Sequence, residues 1–527
     1  MKTAHYWLLG SFLTLGFILP AQALRDATGD RGIDVRRLHA PPYDLIGRKV
    51  GIGQVEIGRP LKLGLDKEAS DQDFFPVEQV FFRDRPIGAN LNVDAHATMV
   101  ATVMISRDKQ LTGVAPGAKL YASAIGSLNR DSQDRQCIAA QHIAQQNGGD
   151  VRAINLSYGE PLSRDPRENP VLDGNALLTR CLDWSARVHN TLYAVAGNQG
   201  RGGIPIPTDH YNGITVAASV RFEEGFRKLD FANLSALPEG IGRTVIQREI
   251  NVNLRRSLGL VAPGNGLRLY DGNRTMPVSG TSFASPQVVG VVAVLQEYGD
   301  RQIAANQWSL AARQSEVMKA VLLNAADKQQ DPGDGRYLGQ SRTILSKGHQ
   351  DWLNGDAAHN PAVPLDIEMG AGQLNAWRAY WQFQAGQWGP GTIPPIGWDY
   401  REVNVENYQD YAFDQPLPAG KYLAATIAWH RHVELEDLNG NGQFDIGETF
   451  RDYGLNNLDL YVLPAESDDL ADSVCRSVSA IDSVEHLFCP IPRTGNYKIR
   501  VVFHNQVNLP TQAYGLAWWT ANASFNP

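Results

Sequence analysis

Ser279-Gly280-Thr281-Ser282-Phe283-Ala284-Ser285-Pro286 runs almost directly into Val288-Val289-Gly290-Val291-Val292-Ala293-Val294-Leu295. The first stretch sets a serine in a glycine-flanked turn. The second is an apolar run that reads as a buried helix. A hydroxyl at a helix N-terminus sits among free backbone N–H groups, at the positive end of the helix dipole. That place suits a nucleophile whose attack creates a negative oxygen. Pro286 fits the first turn, where its missing N–H costs nothing. A plain helix cap would use the same residues, so the role of Ser282 depends on partners elsewhere in the chain.

A serine hydroxyl is a poor nucleophile until a base takes its proton, and the base is usually a histidine held in one tautomer by a carboxylate. Of the 12 histidines, His96 stands out, because small and apolar residues follow it at helical spacing up to Met104. It therefore opens a buried helix, and a histidine at that end is expected to have a lowered affinity for protons. Glu56 ends the apolar run Val50-Gly51-Ile52-Gly53-Gln54-Val55 and is followed closely by Gly58. A charge just past a strand end belongs to a site rather than a core. Asp66, Asp71, Asp73 and Asp94 stand in polar loop contexts and are less well placed. Asn198, between Gly197 and Gly200 after the run Ala194-Val195-Ala196, can aim its amide into a cleft. Such a donor to an oxyanion contributes about 10²–10³ in rate.

Around these residues, from 49 to 385, short β-like runs alternate with helical segments. Residues 120–125, 152–157, 191–196 and 213–218 read as strands, and residues 137–146 as a helix. The alternation predicts an α/β fold, a parallel sheet with helices on both faces, with ligands at the carboxyl ends of the strands. Glu56, Ser157 and Asn198 all end strands. Residues 386–395, rich in Gly and Pro, mark a linker. Beyond it, alternating runs at 422–429, 458–463 and 497–503 predict an antiparallel β-sandwich over 396–527. At 527 residues two or three domains are expected. Residues 1–23 read as a signal peptide, with Lys2, an apolar stretch from Trp7 to Leu19 and the small-x-small pattern Ala21-Gln22-Ala23. The chain is therefore expected to be secreted or periplasmic, without stable membrane insertion. Export permits disulfides. The four cysteines allow three connectivities, and the local pairs Cys137–Cys181 and Cys475–Cys489 are favoured because each lies within one domain. The net charge of −8 is spread, with no basic block, so no nucleic-acid partner is expected.

These segments, in the order acid, histidine, asparagine, serine, resemble the subtilisin-like serine peptidases. Gly113-Val114-Ala115-Pro116-Gly117-Ala118 is similar to the family's loop after the histidine helix, and Leu260-Val261-Ala262-Pro263-Gly264 to the strand before the nucleophile loop. Ile154-Asn155-Leu156-Ser157-Tyr158-Gly159 is similar to the strand that pairs with substrate backbone, which implies substrate contacts at Ser157, Tyr158 and Gly159. The resemblance implies an endopeptidase domain over 24–385 in which Ser282 attacks, His96 moves the proton, Glu56 orients His96 and Asn198 holds the oxyanion. Two residues depart from the family pattern. Glu56 stands where the family usually has Asp, and Ala97 and Met99 replace a Gly and a second His. Only residues 24–47 precede the first expected strand, so the family's large N-terminal inhibitory domain is not expected here. An inactive peptidase fold serving as a binding or scaffold protein is the alternative. An esterase is disfavoured because Ala284 breaks Gly-x-Ser-x-Gly.

Asp437-Leu438-Asn439-Gly440-Asn441-Gly442-Gln443-Phe444-Asp445-Ile446-Gly447-Glu448 fits a twelve-residue calcium loop. Asp437, Asn439, Asn441, Asp445 and Glu448 supply side-chain oxygens, Gln443 its carbonyl, and Gly442 the sharp bend. Hard oxygens at that spacing suit Ca²⁺ over transition metals. The flanks read as strands, so the expected role is a structural clip. The expected partner is a protein or peptide substrate, and the expected state a monomer.

Overall fold

Short apolar runs become buried strands in the computed structural model, which describes residues 24–69, 76–127, 133–197, 206–230, 251–256, 258–271 and 274–523. The expected signal peptide lies outside these residues. The strands of the first unit are β1 (Gly51–Glu56), β2 (Val77–Phe82), β3 (Arg85–Pro86), β4 (Lys119–Ala124), β5 (Val151–Leu156), β6 (Leu192–Ala196), β7 (Ile214–Phe222), β8 (Gly225–Leu229) and β9 (Leu258–Pro263). They lie in the order β8-β7-β6-β5-β1-β4-β2-β3, and β9 also pairs with β7. β1 sits between β4 and β5, parallel to both. The hairpins β2–β3 and β7–β8 are antiparallel.

Every residue of β1, β5, β6 and β9 is buried. This is the mark of a sheet covered on both faces. The period-two alternation sorts the side chains. Ala153, Leu192 and Ala194 join one core with helices α1 (Ala95–Ile105) and α4 (Ser285–Ala304). Ile154, Leu156, Tyr193 and Val195 join another with α2 (Gln133–Ala144) and α3 (Leu177–His189). Leu24, Ala27, Ile33, Val35, Leu38 and Leu45 are buried in the first core. Glu297 on α4 ties this segment down, one carboxylate oxygen accepting N–H bonds from Ile46, Gly47 and Arg48 at 2.8, 2.7 and 3.0 Å.

The second unit is two stacked sheets. One has the order Ile396–Asn404, Thr511–Thr520, Tyr422–Trp429, Val484–Pro490, all antiparallel. The other runs Gly391–Ile393, Tyr408–Phe413, Tyr497–Asn505, Asn457–Pro464, Cys475–Ser477. Leu423, Ile427, Trp429, Leu460, Ile499, Val501 and Trp518 fill the space between them. Gly391–Ile393, within the expected linker, is thus a strand, parallel to Tyr411, Ala412 and Phe413.

The outer face of the four-stranded sheet is not solvated. Helix α5 (Ser315–Asn324) lies against it, and all of its residues are buried. Trp398, Ala428, Val484 and Ala517 belong to the core of the first unit. Thr426 donates to Asn324 Oδ1 at 2.9 Å and the Trp519 indole to the Asn324 carbonyl at 3.2 Å. A hairpin, Val433–Glu436 with Thr449–Asp452, reaches back over the first unit. Its Phe444 and Phe450 pack on Trp184 and on the Cys137–Cys181 disulfide between α2 and α3. Gln141 on α2 bonds both the N–H and the carbonyl of Phe444, at 2.8 and 2.7 Å. The second disulfide is Cys475–Cys489, so both expected pairs form. Among the described residues no helix is long and apolar enough to cross a membrane.

Candidate active site

Glu56 closes β1 at the carboxyl edge of the sheet and is 2% exposed. The chain then turns sharply. A side chain at Gly58 would collide with Asp94, so only glycine lets this loop approach the start of α1. A short ladder fixes the approach, Arg59 N–H donating to the Asn92 carbonyl at 2.8 Å and Asp94 N–H to the Arg59 carbonyl at 3.0 Å. Asp94 caps α1 by accepting the Ala97 N–H at 2.8 Å. Asp66 forms a buried ion pair with Arg59, with contacts at 2.5 and 2.7 Å. Both alternative acids therefore have structural work. Asp71 and Asp73 lie outside the described residues.

This scaffold brings His96 Nδ1 to 3.4 Å from Glu56 Oε2. Glu56 Oε1 is buried without a protein partner. Burial pulls the His96 pKa down, but the Glu56 carboxylate and then Asp94 pull it up, and the net shift is upward. The expected lowering at a helix N-terminus is overturned because a carboxylate within ion-pair range outweighs the dipole.

The Ser282 turn reaches the same place from the other side of the sheet edge. Thr281–Phe283 form a 3₁₀ turn that runs into α4, and Phe283 packs on the His96 ring with centroids 5.6 Å apart. Ser282 is 8% exposed. Its hydroxyl donates to the Ser157 carbonyl at 3.1 Å, while the Ser157 hydroxyl donates to the Ser282 carbonyl at 2.7 Å. Among the described residues its hydroxyl bonds to Ser157, and no bond to His96 forms.

Ser157 thus turns its side chain inward, and only its backbone is left for an incoming chain. Tyr158 is also buried, with an unpartnered phenol in the field of Glu56 and Glu160; burial and these charges raise its pKa. Gly159 follows beyond the strand end. Asn198 lies outside the described residues. Asn155 and Ser285 were not singled out from the sequence. The Asn155 amide donates to Ser157 Oγ and its oxygen accepts from Ser285 Oγ, both at 2.8 Å. Two polar residues two apart at the end of an apolar strand, opposite a serine one turn past the nucleophile, were the available signal.

Residues 80–340 match the subtilase family. The chain carries a subtilase domain. His96 and Ser282 lie inside the matched residues and Glu56 before them. A thermostable alkaline protease of Halalkalibacterium halodurans is 27% identical over 206 residues, 38% of this chain and 47% of that protein. Subtilisin Savinase of Lederbergia lenta is 25% identical over 207 residues, 39% of this chain and 64% of that protein. The chain spans about half the length of the first of these relatives. Fervidolysin from Fervidobacterium pennivorans shares 15% identity at a TM-score of 0.39, over 90% of this chain and 77% of that one, and nothing is built on that likeness.

Proposed function

We propose that this subtilase is an exported serine endopeptidase, secreted or periplasmic and monomeric, that cleaves peptide bonds through an acyl-enzyme. Ser282 attacks the carbonyl and His96 accepts the proton and returns it to the leaving amine. Glu56 orients His96 and stabilises its charged form. Asn198 and the Ser282 N–H hold the oxyanion, and the backbone from Ser157 to Gly159 aligns the substrate. The observation that carries this reading is the His96–Glu56 contact at 3.4 Å beside the Ser282 turn. Full-length protein and its Ser282→Ala variant should be compared on casein. Cleavage by the parent and none by the variant is expected, and equal cleavage by both would refute the assignment.

We propose that Ca²⁺ draws together the oxygens of the 437–448 loop, which among the described residues do not already form a cluster of three or more metal-binding side chains. Asp437 gathers the N–H groups of Gly440 and Gly442 at 2.6 and 2.7 Å, and the Asn439 and Asn441 amides both meet Asp445 Oδ2 at 2.8 Å. Glu448 accepts from the N–H groups of Leu438 and Asp445, both at 2.8 Å. Asp437, Asn439, Asn441, Asp445 and Glu448 would hold the ion with the Gln443 carbonyl. Calcium would supply charge neutralisation and rigidity at the tip of the docked hairpin.

A further inference from the structure

Arg59 follows Glu56 by three residues and is 0% exposed. A buried cation is costly unless it is paired and hydrogen-bonded, so its partners show what it is there to do. All five of its N–H donors are used. Nε donates to the Leu91 carbonyl at 2.9 Å. Nη1 donates to the Pro60 carbonyl at 3.1 Å and to Asp66 Oδ2 at 2.5 Å. Nη2 donates to Asp66 Oδ1 at 2.7 Å and to the Gly88 carbonyl at 3.3 Å. Asp66 in turn accepts the Asn90 and Lys62 N–H groups at 2.7 and 2.9 Å. One buried ion pair thus ties residues 60–66, which follow Glu56, to residues 88–91, which lead toward His96.

The main chain extends the tie into the helix. Arg59 and Val93 form a bridge, through the bonds of Arg59 to Asn92 and Asp94. The Leu61 N–H donates to Thr98 Oγ1 at 3.1 Å, and the Thr98 hydroxyl donates to the Asp94 carbonyl at 2.9 Å. Asp94 and Thr98 flank His96 in the first turn of α1, so a shift of Arg59 is passed to the turn that carries the imidazole. Packing alone does not hold these segments. A cavity of about 350 Å³ opens among them, with Leu61, Asn90, Val93, Ala95 and Thr98 in its wall. Hydrogen bonds must therefore set the gap between the end of β1 and the start of α1. The gap matters because the His96–Glu56 contact is already 3.4 Å long and has little slack.

We propose that Arg59 is a positioning residue, its fork on Asp66 holding residues 88–94 in the arrangement that sets His96 against Glu56. The inference deepens the proposed function and rests on His96 as its base. A through-space role predicts the opposite sign from a positional one. Loss of a nearby positive charge raises a histidine's affinity for protons, whereas loss of the Glu56 contact lowers it. The charges that act on His96 are those of Glu56 and Asp94.

The double variant Arg59→Met, Asp66→Asn tests this in the full-length protein. It removes both charges and keeps an oxygen for the N–H groups of Asn90 and Lys62. The His96 pKa is read by NMR of ¹³C-labelled imidazoles, its signal assigned by its loss in His96→Gln, and kcat and KM are read on fluorescein-labelled casein. The His96 pKa should fall, and kcat should fall by about tenfold to a hundredfold while KM stays within about twofold. Arg59→Lys keeps the buried charge paired but lacks the fork, so it should move both readings the same way by less, and it carries the test if the double variant does not fold. The proposal is overturned if a folded variant keeps the parent's His96 pKa, or if that pKa rises. A fall in pKa in a protein whose parent cleaves no casein would uphold the positioning role and remove the peptidase reading.

Discussion

Glu56 and His96 form a pair whose pH behaviour can be read from its surroundings. A general base works when unprotonated, and Glu56 raises the His96 pKa above the usual 6.5. The acid limb of kcat/KM should therefore lie above pH 6.5. Glu56→Gln removes the larger upward pull and leaves burial opposed by Asp94 alone, so the limb should move down while kcat falls by about 10²–10⁴-fold. A pH–rate profile of both proteins checks the direction, and an unmoved limb would detach Glu56 from His96. Ser157→Ala would strip the Ser282 carbonyl and the Asn155 amide of a partner, which costs about 1–3 kcal/mol. Urea melts should show that loss together with a lower kcat. That Glu56, His96 and Ser282 each stand at an element boundary was legible from the small residues beside them. The direction of the histidine's shift was not, since a dipole can be read from one segment but a carboxylate 40 residues away cannot. The inward turn of Ser157 was hidden for the same reason, because its partner is the carbonyl of Ser282.

Strands and helices were legible where they bury both faces or wind around apolar runs. The strand Tyr422–Trp429 reads as one half of a sandwich with a wet side, yet all of its residues are buried. Its Thr426 meets Asn324 of α5 and its Ala428 joins the core of the first unit, contacts that no local pattern encodes. Gly515 marks the same contact, because a Cβ there would lie 2.5 Å from the Glu316 carbonyl carbon and oxygen. Gly515→Val should push strand and helix apart and cost about 1–3 kcal/mol in a denaturant melt. A neutral substitution would mean the two elements are looser than described. The strands that flank the 437–448 loop were legible, whereas its docking through Phe444 was not. Chelation by EDTA should lower the melting temperature of the whole protein, and Asp437→Asn should blunt the effect. No shift on chelation would remove the metal.

The two units share one core, so the molecule should unfold as one. Scanning calorimetry of the full chain should give a single transition, and two well-separated transitions would contradict the shared core. The linker suggested by Gly and Pro in 386–395 misled because composition marks turns, not mobility. The buried bases inside and between the units contribute to the pH response. His210 and His486 are held well below 6.5 by burial, so the unfolded chain binds more protons and stability falls as pH drops below 6.5. Lys319 and Lys328 are pushed down to about 7, so their cost is fully present below pH 7 and fades toward 10.5. Asp34 and Asp366, whose carboxyls burial raises to about 6, act the other way, so the histidine contribution is read by comparison: the parent should lose more melting temperature from pH 7 to pH 5 than a His210→Gln variant does. An equal loss in both would mean His210 is wetter than the fold implies.

The convergence of Glu56, His96 and the Ser282 turn is tested most directly by reacting the full-length protein with a fluorophosphonate and mapping the adduct by mass spectrometry. Modification of Ser282 alone, lost in His96→Ala and slowed in Glu56→Gln, is the expected result. A folded protein that takes up no label, or takes it up on another serine, would contradict it.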